Sequence, residues 1–304
     1  MRMPTAQPGA VPFTAQDSVK TALSSLTAAL KNAGIDGAEG DARYLVCGVL
    51  GLDAANIISN PDCPVGAAAA ARLNDALGRR LKHEPVSRIL GVRAFYGRDF
   101  AISPTVLDPR PETETLIDVI LDLATEYGWH GRPVRIADIG TGSGAIVLTV
   151  LAELPLATGV AIDISLPALD VARANAERLG VAARVQFIHT RELQGVAGPF
   201  DLIVSNPPYI PAAVIATLVS GVRDFDPRLA LDGGPDGLVI YREIASQISQ
   251  FHGPAWVVLE VGAGQAEDVA GLFGAGPGGA TFLDLRYRKD LGGHVRCVAV
   301  RHQR

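Results

Sequence analysis

The chain has 304 residues, 48% of them hydrophobic and 19% charged, which excludes wholesale disorder and gives room for one large domain beside a small one. A net charge of −5 argues against duplex nucleic acid as the main partner, because phosphate binding runs on clustered Lys and Arg. No apolar run is long enough to span a bilayer, and Cys47, Cys63 and Cys297 are scattered as reduced thiols are, so a cytoplasmic protein without membrane association is expected.

The first residues, MRMPTAQPGAVPFTAQ, are broken by Pro4, Pro8 and Pro12 and lack the apolar stretch of a signal peptide; residues 1–15 are expected to be flexible. A small helical domain is expected over 16–84. Asp17 or Ser18 can cap a helix carrying Val19, Leu23, Leu26 and Leu30 and closed by Gly34. A second helix is expected over Glu39 to Leu50 and a third from Val65 to about His83 through the alanine run. No chemical constellation stands on these helices, so they serve to dock a partner or cover a site. Arg79, Arg80, Lys82, Arg88 and Arg93 form either a solvated face or a local basic patch.

Residues 85–108 read as a β-hairpin linker, with Ile89, Leu90, Phe95, Tyr96, Phe100 and Ile102 punctuated by Gly91 and Gly97. The main domain, 109–304, opens on DPRPETE, where Arg110, Glu112 and Glu114 flank Pro111 at a helix start, an ordinary capping pattern. From Val134 strand and helix alternate. VRIADIGTGSGAIVL is a buried strand, a turn through Asp138, Gly140, Thr141, Gly142, Ser143 and Gly144, then a helix with free N-terminal amides. About 20 residues on, a second strand ends at Asp163 and Ile164, where an acid can take a ribose diol. The turn lacks the usual G-x-G-x-x-G of dinucleotide sites, and Asp138 ahead of it suits a cationic ligand such as S-adenosylmethionine; a plain turn-capping role for Asp138 stands as the alternative. A helix over Leu166 to Leu179, the strand ARVQFIHT, and later strands near AWVVLEV and FLDLRYR bring the total to about seven, a doubly wound α/β sheet with an antiparallel edge. The six histidines form no metal pattern, and no metal is expected.

The chemistry concentrates in DLIVSNPPYI. A short buried strand ends at Asn206, Pro207, Pro208 and Tyr209, and two prolines force the chain out of the sheet as a stiff corner. The Asn206 side-chain carbonyl and the Pro207 backbone carbonyl can accept the two protons of a planar NH2 group while Tyr209 packs on its plane. Taken alone, Asn-Pro-Pro reads first as a mere turn, and it is the residues upstream that favour the chemical reading.

The ordered set DPRPETE, ADIGTGSGAI, AIDIS, SNPPYI, PRLALDGGPDGL and LEVGAGQ resembles the protein-(glutamine-N5) methyltransferases of peptide chain release factors, the PrmC or HemK family, from about residue 84 to the C-terminus. The resemblance implies a class I S-adenosylmethionine-dependent methyltransferase fold, with the glutamine of a release factor's Gly-Gly-Gln loop as acceptor; the sequence itself is silent on oligomeric state, and a monomer is the expectation. It implies that Gly140 to Gly144 wrap the cofactor's methionine part and that Asp163 takes the ribose hydroxyls. Asn206 and Pro207 would then hold the glutamine amide with Tyr209 against it, and Arg110 and Glu114 would help build a lid. The chain departs from the family at Thr190 and Arg191, where an acid and an aromatic commonly stand near the adenine, and at Asp108, commonly apolar. Arg191 either stacks on the adenine in their place or leaves the affinity lower. The alternatives are an amino-methyltransferase acting on adenine N6 or guanine N2 of a nucleic acid, and a non-catalytic cofactor-binding relative.

Overall fold

The computed structural model describes residues 13–248, 255–274 and 281–303, and the chain divides into two compact units, Met1–Gly91 and Val92–Arg304. In the first unit, α1 (Val19–Asn32) starts where Ser18 accepts a hydrogen bond from the Thr21 amide, and it buries Val19, Ala22, Leu26 and Leu30 on one face. Helix α2 (Ala38–Leu50) lies between the left-handed glycines Gly37 and Gly51. Then come α3 (Ala54–Ser59), capped by Asp53, and α4 (Ala67–Arg80). Most of the stretch expected to be flexible, 1–12, lies outside the described residues. Phe13 is buried and exchanges two hydrogen bonds with Asn74, Phe13 N donating at 2.8 Å and Asn74 Nδ2 returning one at 3.0 Å.

Ile89 and Leu90, assigned above to a hairpin, instead form the last turn of α5 (Val86–Leu90). Pro85 starts that helix, and Gly91, left-handed at φ 69°, ends it with its amide on the Ser87 carbonyl. Leu90 fits against α2 so closely that a Cβ on Gly48 would lie 2.7 Å from its methyl groups, a contact that alternation of apolar residues cannot reveal.

The second unit opens with the antiparallel hairpin β1 (Val92–Phe95) and β2 (Arg98–Ala101), turned by Tyr96 and Gly97, both at positive φ. A short 3-10 turn, Pro111–Thr113, leads into α6 (Glu114–Glu126). Strands and helices then alternate through β3 (Val134–Ile139), α7 (Ala145–Glu153), β4 (Ala157–Asp163), α8 (Leu166–Arg178), β5 (Val185–His189) and β6 (Leu202–Ser205). The chain continues through α9 (Ser220–Arg223), α10 (Val239–Ile248), β7 (Ala255–Glu260), α11 (Ala266–Gly274), β8 (Thr281–Lys289) and β9 (Val295–Gln303).

The seven-stranded sheet runs β5-β4-β3-β6-β7-β9-β8, parallel as far as β7 and antiparallel at the β9 and β8 edge. Its central strands are apolar on both faces because both are covered. Leu116, Ile120, Val147 and Leu151 pack with Ile136, Val204 and Val258 on one side; Tyr241, Ile244, Val269 and Phe273 pack with Ile139, Ile203 and Val257 on the other. Each such side chain stabilises the fold by roughly 1.5–3 kcal/mol relative to exposure. Strand order reverses between β3 and β6, which creates a crevice at their carboxyl ends.

Candidate functional site

Two corners meet at that crevice. Ile139 and Ser205, the last residues of β3 and β6, are paired in parallel register, so Gly140 and Asn206 leave the sheet side by side. Gly140, Gly142 and Gly144 all take positive φ, which other residues rarely adopt. The turn is tied to β4 by the Thr141 amide, which donates to the Ile162 carbonyl at 2.9 Å. Asn175 on α8, buried and not foreseen from the sequence, donates to the Ser143 carbonyl at 2.9 Å and also pairs with both backbone groups of Ala101.

Asp138 is fully buried beneath this turn. Its Oδ2 accepts from Thr141 Oγ1 at 2.7 Å and from the Val147 amide at 3.3 Å, while its Oδ1 has no hydrogen-bond partner. Burial pushes its carboxyl up to about 7, against the pull of those two donors. Asp163 accepts from the Gly142 amide at 2.9 Å and the Ser165 amide at 2.8 Å, and burial likewise raises it. Each Asp163 oxygen keeps a lone pair beyond these bonds.

A cavity of about 860 Å3 lies between the corners. Of the residues singled out from the sequence, Gly140 to Ser143, Asp163, Ile164, Arg191 and Asn206 to Pro208 line it; Asp138, Gly144, Tyr209, Arg110 and Glu114 do not. The Tyr209 ring packs on the apolar cluster of α10 and α11, and its hydroxyl donates to Glu260 Oε1 at 3.3 Å. Burial and the Glu260 carboxylate raise its phenol. Arg110 forms an ion pair with Asp226, and Glu114 accepts from the Tyr96 amide at 2.8 Å, fastening the hairpin to α6. Arg191 lines the cavity with its guanidinium engaged by Glu243 of α10 at 3.0 Å.

The Asn206–Tyr209 corner is itself held from behind. The Ile210 amide donates to the Leu231 carbonyl at 3.0 Å, and the Gly233 amide donates to Ile210 at 2.9 Å. Gln265 Nε2 donates to the Tyr209 carbonyl at 3.0 Å. These contacts account for two motifs that carried only resemblance in the sequence: a Cβ on Gly233 would lie 2.8 Å from the Pro208 carbonyl oxygen, and one on Gly237 2.4 Å from that of Tyr209. Three carboxylates were missed by sequence reasoning: Glu192 and Asp232, which line the cavity, and Glu260 at the end of β7, behind the proline corner. Burial, with Glu243 nearby, pushes Glu192 up to about 7. No cluster of potential metal ligands occurs among the described residues, and no helix among them is long and apolar enough to cross a membrane.

A doubly wound sheet with this strand order, a glycine turn after its first strand and a proline corner across the switch point defines a class I methyltransferase. A family model described as the PrmC N-terminal domain matches residues 21–91, and one described as the methyltransferase small domain matches 119–220. The release factor glutamine methyltransferase of Bradyrhizobium diazoefficiens is 45% identical over 291 residues, covering 95% of this chain and 96% of the relative. That of Rhodospirillum rubrum is 46% identical over 275 residues, covering 90% and 82%. The chain belongs to the release factor glutamine methyltransferase family. Among solved structures, the hMettl16 catalytic domain in complex with a MAT2A 3'UTR hairpin superposes with a TM-score of 0.52 at 15% identity, over 77% of this chain and 81% of that one, a likeness of fold alone.

Proposed function

We propose that this chain transfers a methyl group from S-adenosylmethionine to the side-chain nitrogen of the glutamine in the Gly-Gly-Gln loop of a peptide chain release factor. The observation that carries this reading is the adjacency of the two corners, Gly140 and Asn206 following strand ends locked in register. The residues suit the cofactor: a buried Asp138 oxygen without a partner stands beneath a glycine turn, beside a cavity large enough for a nucleoside. Gly140 to Ser143 would hold its methionine end, with the Asp138 carboxyl acting by charge from beneath the turn, and Asp163 would take its ribose. Arg191, committed to Glu243, bounds the adenine side through the edge of that ion pair. When bound, the cofactor supplies an electrophilic methyl on a sulfonium.

Asn206 and the Pro207 carbonyl accept the two amide protons of the glutamine side chain. This orients the nitrogen, whose lone pair is otherwise spread over the amide, and once the methyl is attached one of the two protons leaves through these acceptors to solvent. Tyr209, turned toward Glu260, stiffens the corner from behind. Arg110 and Asp226 fasten the segment before α6 to the segment after the proline corner. The helical unit Met1–Gly91, matched over residues 21–91 by the PrmC N-terminal domain model, is assigned the docking of the release factor. An enzyme acting on a translation factor works in the cytoplasm, here as a monomer.

The test is transfer of label from methyl-labelled cofactor. Release factor should be marked, and a release factor with Gly-Gly-Ala in its loop, DNA and rRNA should not. Label on nucleic acid instead would overturn the reading.

A further inference from the structure

Behind the proline corner lies a carboxylate whose contact with Tyr209 is only one of its two side-chain hydrogen bonds. Glu260 ends β7, the strand beside β6, and is 1% exposed. Its Oε2 accepts from Thr113 Oγ1 at 2.6 Å, and its Oε1 accepts from the Tyr209 hydroxyl at 3.3 Å. Thr113, also buried, ends the 3-10 turn ahead of α6. In turn it accepts from Asn206 Nδ2 at 3.2 Å. Three elements distant in sequence, the turn before α6 and the ends of β6 and β7, thus converge in one hydrogen-bonded chain.

We propose that Glu260, acting through Thr113, is a positioning residue that fixes which way the Asn206 amide faces. The argument rests on the reading of Asn206 as the group that accepts the glutamine amide. An ionised carboxylate only accepts hydrogen bonds, and a threonine hydroxyl has one proton. Once that proton is given to Glu260, Thr113 offers Asn206 only lone pairs. Nδ2 must therefore face Thr113, and Oδ1 is left for a ligand in the cavity that Asn206 lines. The opposite orientation would set Oδ1 against the Thr113 lone pairs and present the substrate's NH2 with another donor. Glu260 touches neither ligand; it sets the direction of the chain, and its second oxygen anchors Tyr209.

The groups that face Glu260 are consistent with this task. Arg296 from β9 stabilises its charge, Glu112 opposes it, and the Tyr241 hydroxyl from α10 donates to its backbone carbonyl at 2.7 Å. Buried Cys297 of β9 is nearby, its thiol raised by burial and by the Glu260 charge. Burial pushes the Glu260 carboxyl up to about 7, while Thr113, Arg296 and Tyr209 pull it down. A protonated Glu260 becomes a donor to Thr113 and frees the chain to reverse.

Glu260→Gln, Thr113→Val and Thr113→Ser test the proposal. At saturating cofactor, Glu260→Gln and Thr113→Val should lose about ten- to a hundredfold in kcat, while cofactor affinity by calorimetry changes less than about twofold. Thr113→Ser, which keeps the hydroxyl, should restore most of the rate. The wild-type kcat should fall as pH drops through about 7, a dependence lost in Glu260→Gln. In protein with isotope-labelled asparagine, the Asn206 amide protons should exchange slowly in wild type and Thr113→Ser and fast in Thr113→Val. Unchanged kcat in Glu260→Gln, or loss in Thr113→Ser equal to that in Thr113→Val, would overturn the proposal; fast exchange in wild type would do the same without any substrate. Failure of wild type to label a release factor would instead remove the reading of the reaction and leave the exchange result standing by itself. If Glu260→Gln does not fold, the two Thr113 variants decide.

Discussion

The Ser205 hydroxyl donates to the carbonyl oxygen of Ile139 at 2.7 Å, joining the last residue of β6 to the last residue of β3. Backbone pairing sets the two strand ends in register, and this side-chain clip closes the point where the strands begin to diverge. The glycine turn and the proline corner start one residue further on, so their spacing is inherited from a bond that belongs to the sheet. Ser205→Ala removes a fully buried bond and should cost about 1 kcal/mol, lowering the melting temperature by about 2–4 °C. Because the change loosens the spacing of the corners more than either corner, kcat should fall further than cofactor affinity. Differential scanning calorimetry and single-turnover transfer check the two parts; an unchanged rate in a destabilised variant would show that the clip serves the sheet alone.

Asp138 makes a prediction about pH. Its carboxyl, pushed up to about 7 by burial from an ordinary 3.8, binds a proton more tightly folded than unfolded. The stability this gives the ligand-free chain is full below about pH 4 and is lost as pH rises through about 7; Glu260 and Glu192 act with the same sign. A cationic ligand beside Asp138 favours the ionised form, so cofactor affinity should rise with pH up to about 7 and then level. Calorimetry near pH 6.5 in buffers of different ionisation enthalpy should register about one proton released on binding. Asp138→Asn should bind more weakly and release none. Proton release of equal size in that variant would assign the titration elsewhere.

The sheet, the glycine turn and the proline corner were legible because each is written in adjacent residues: β-branched runs, Gly140 to Gly144, Asn206 to Tyr209. Helix α5 was not, because Ile89 and Leu90 suit a strand by composition and turn helical through Pro85, Gly91 and a groove at Gly48. Within the site, what escaped was whatever depends on pairs far apart in the chain. Asn175 reaches Ser143 across 32 positions, Thr113 reaches Glu260 across 147, and Arg191 reaches Glu243 across 52. A lone Asn on a helix or a Glu ending a strand carries no local signal, whereas their partners make them structural. Tyr209 shows the same limit: its type suggested a stacking face, and the neighbouring Glu260 turned its hydroxyl inward.

Gly237 tests the support behind the proline corner. It sits at φ +77°, and a Cβ there would fall 2.4 Å from the Tyr209 carbonyl oxygen and 2.6 Å from Gln265 Nε2. Gly237→Ala therefore meets backbone strain and a collision with the carbonyl that Gln265 holds. The corner must shift, and a displacement of about 1 Å at Asn206 is worth roughly a hundredfold in rate. Cofactor binding by the glycine turn should be nearly unaffected, since Gly237 touches none of it. Transfer assays beside calorimetric titration measure the split; wild-type kcat in Gly237→Ala would mean the corner holds without this strap.

Asn206 and Asp163 stand on opposite corners, and their variants should fail in opposite ways. Asp163 accepts from the Gly142 and Ser165 amides, so Asp163→Ala removes the candidate ribose acceptor and one of the two bonds that hold the glycine turn to β4, leaving the Thr141 amide on the Ile162 carbonyl. Binding of S-adenosylmethionine should be lost at millimolar concentration, and the rate with it. Asn206→Ala leaves that turn intact and removes one acceptor for the glutamine amide. Its cofactor affinity should match wild type while transfer falls by about two orders of magnitude or more, near 3 kcal/mol of barrier. Parallel loss of affinity and rate in Asn206→Ala would make Asn206 a cofactor residue, and full cofactor binding in Asp163→Ala would move the ribose site away from the end of β4.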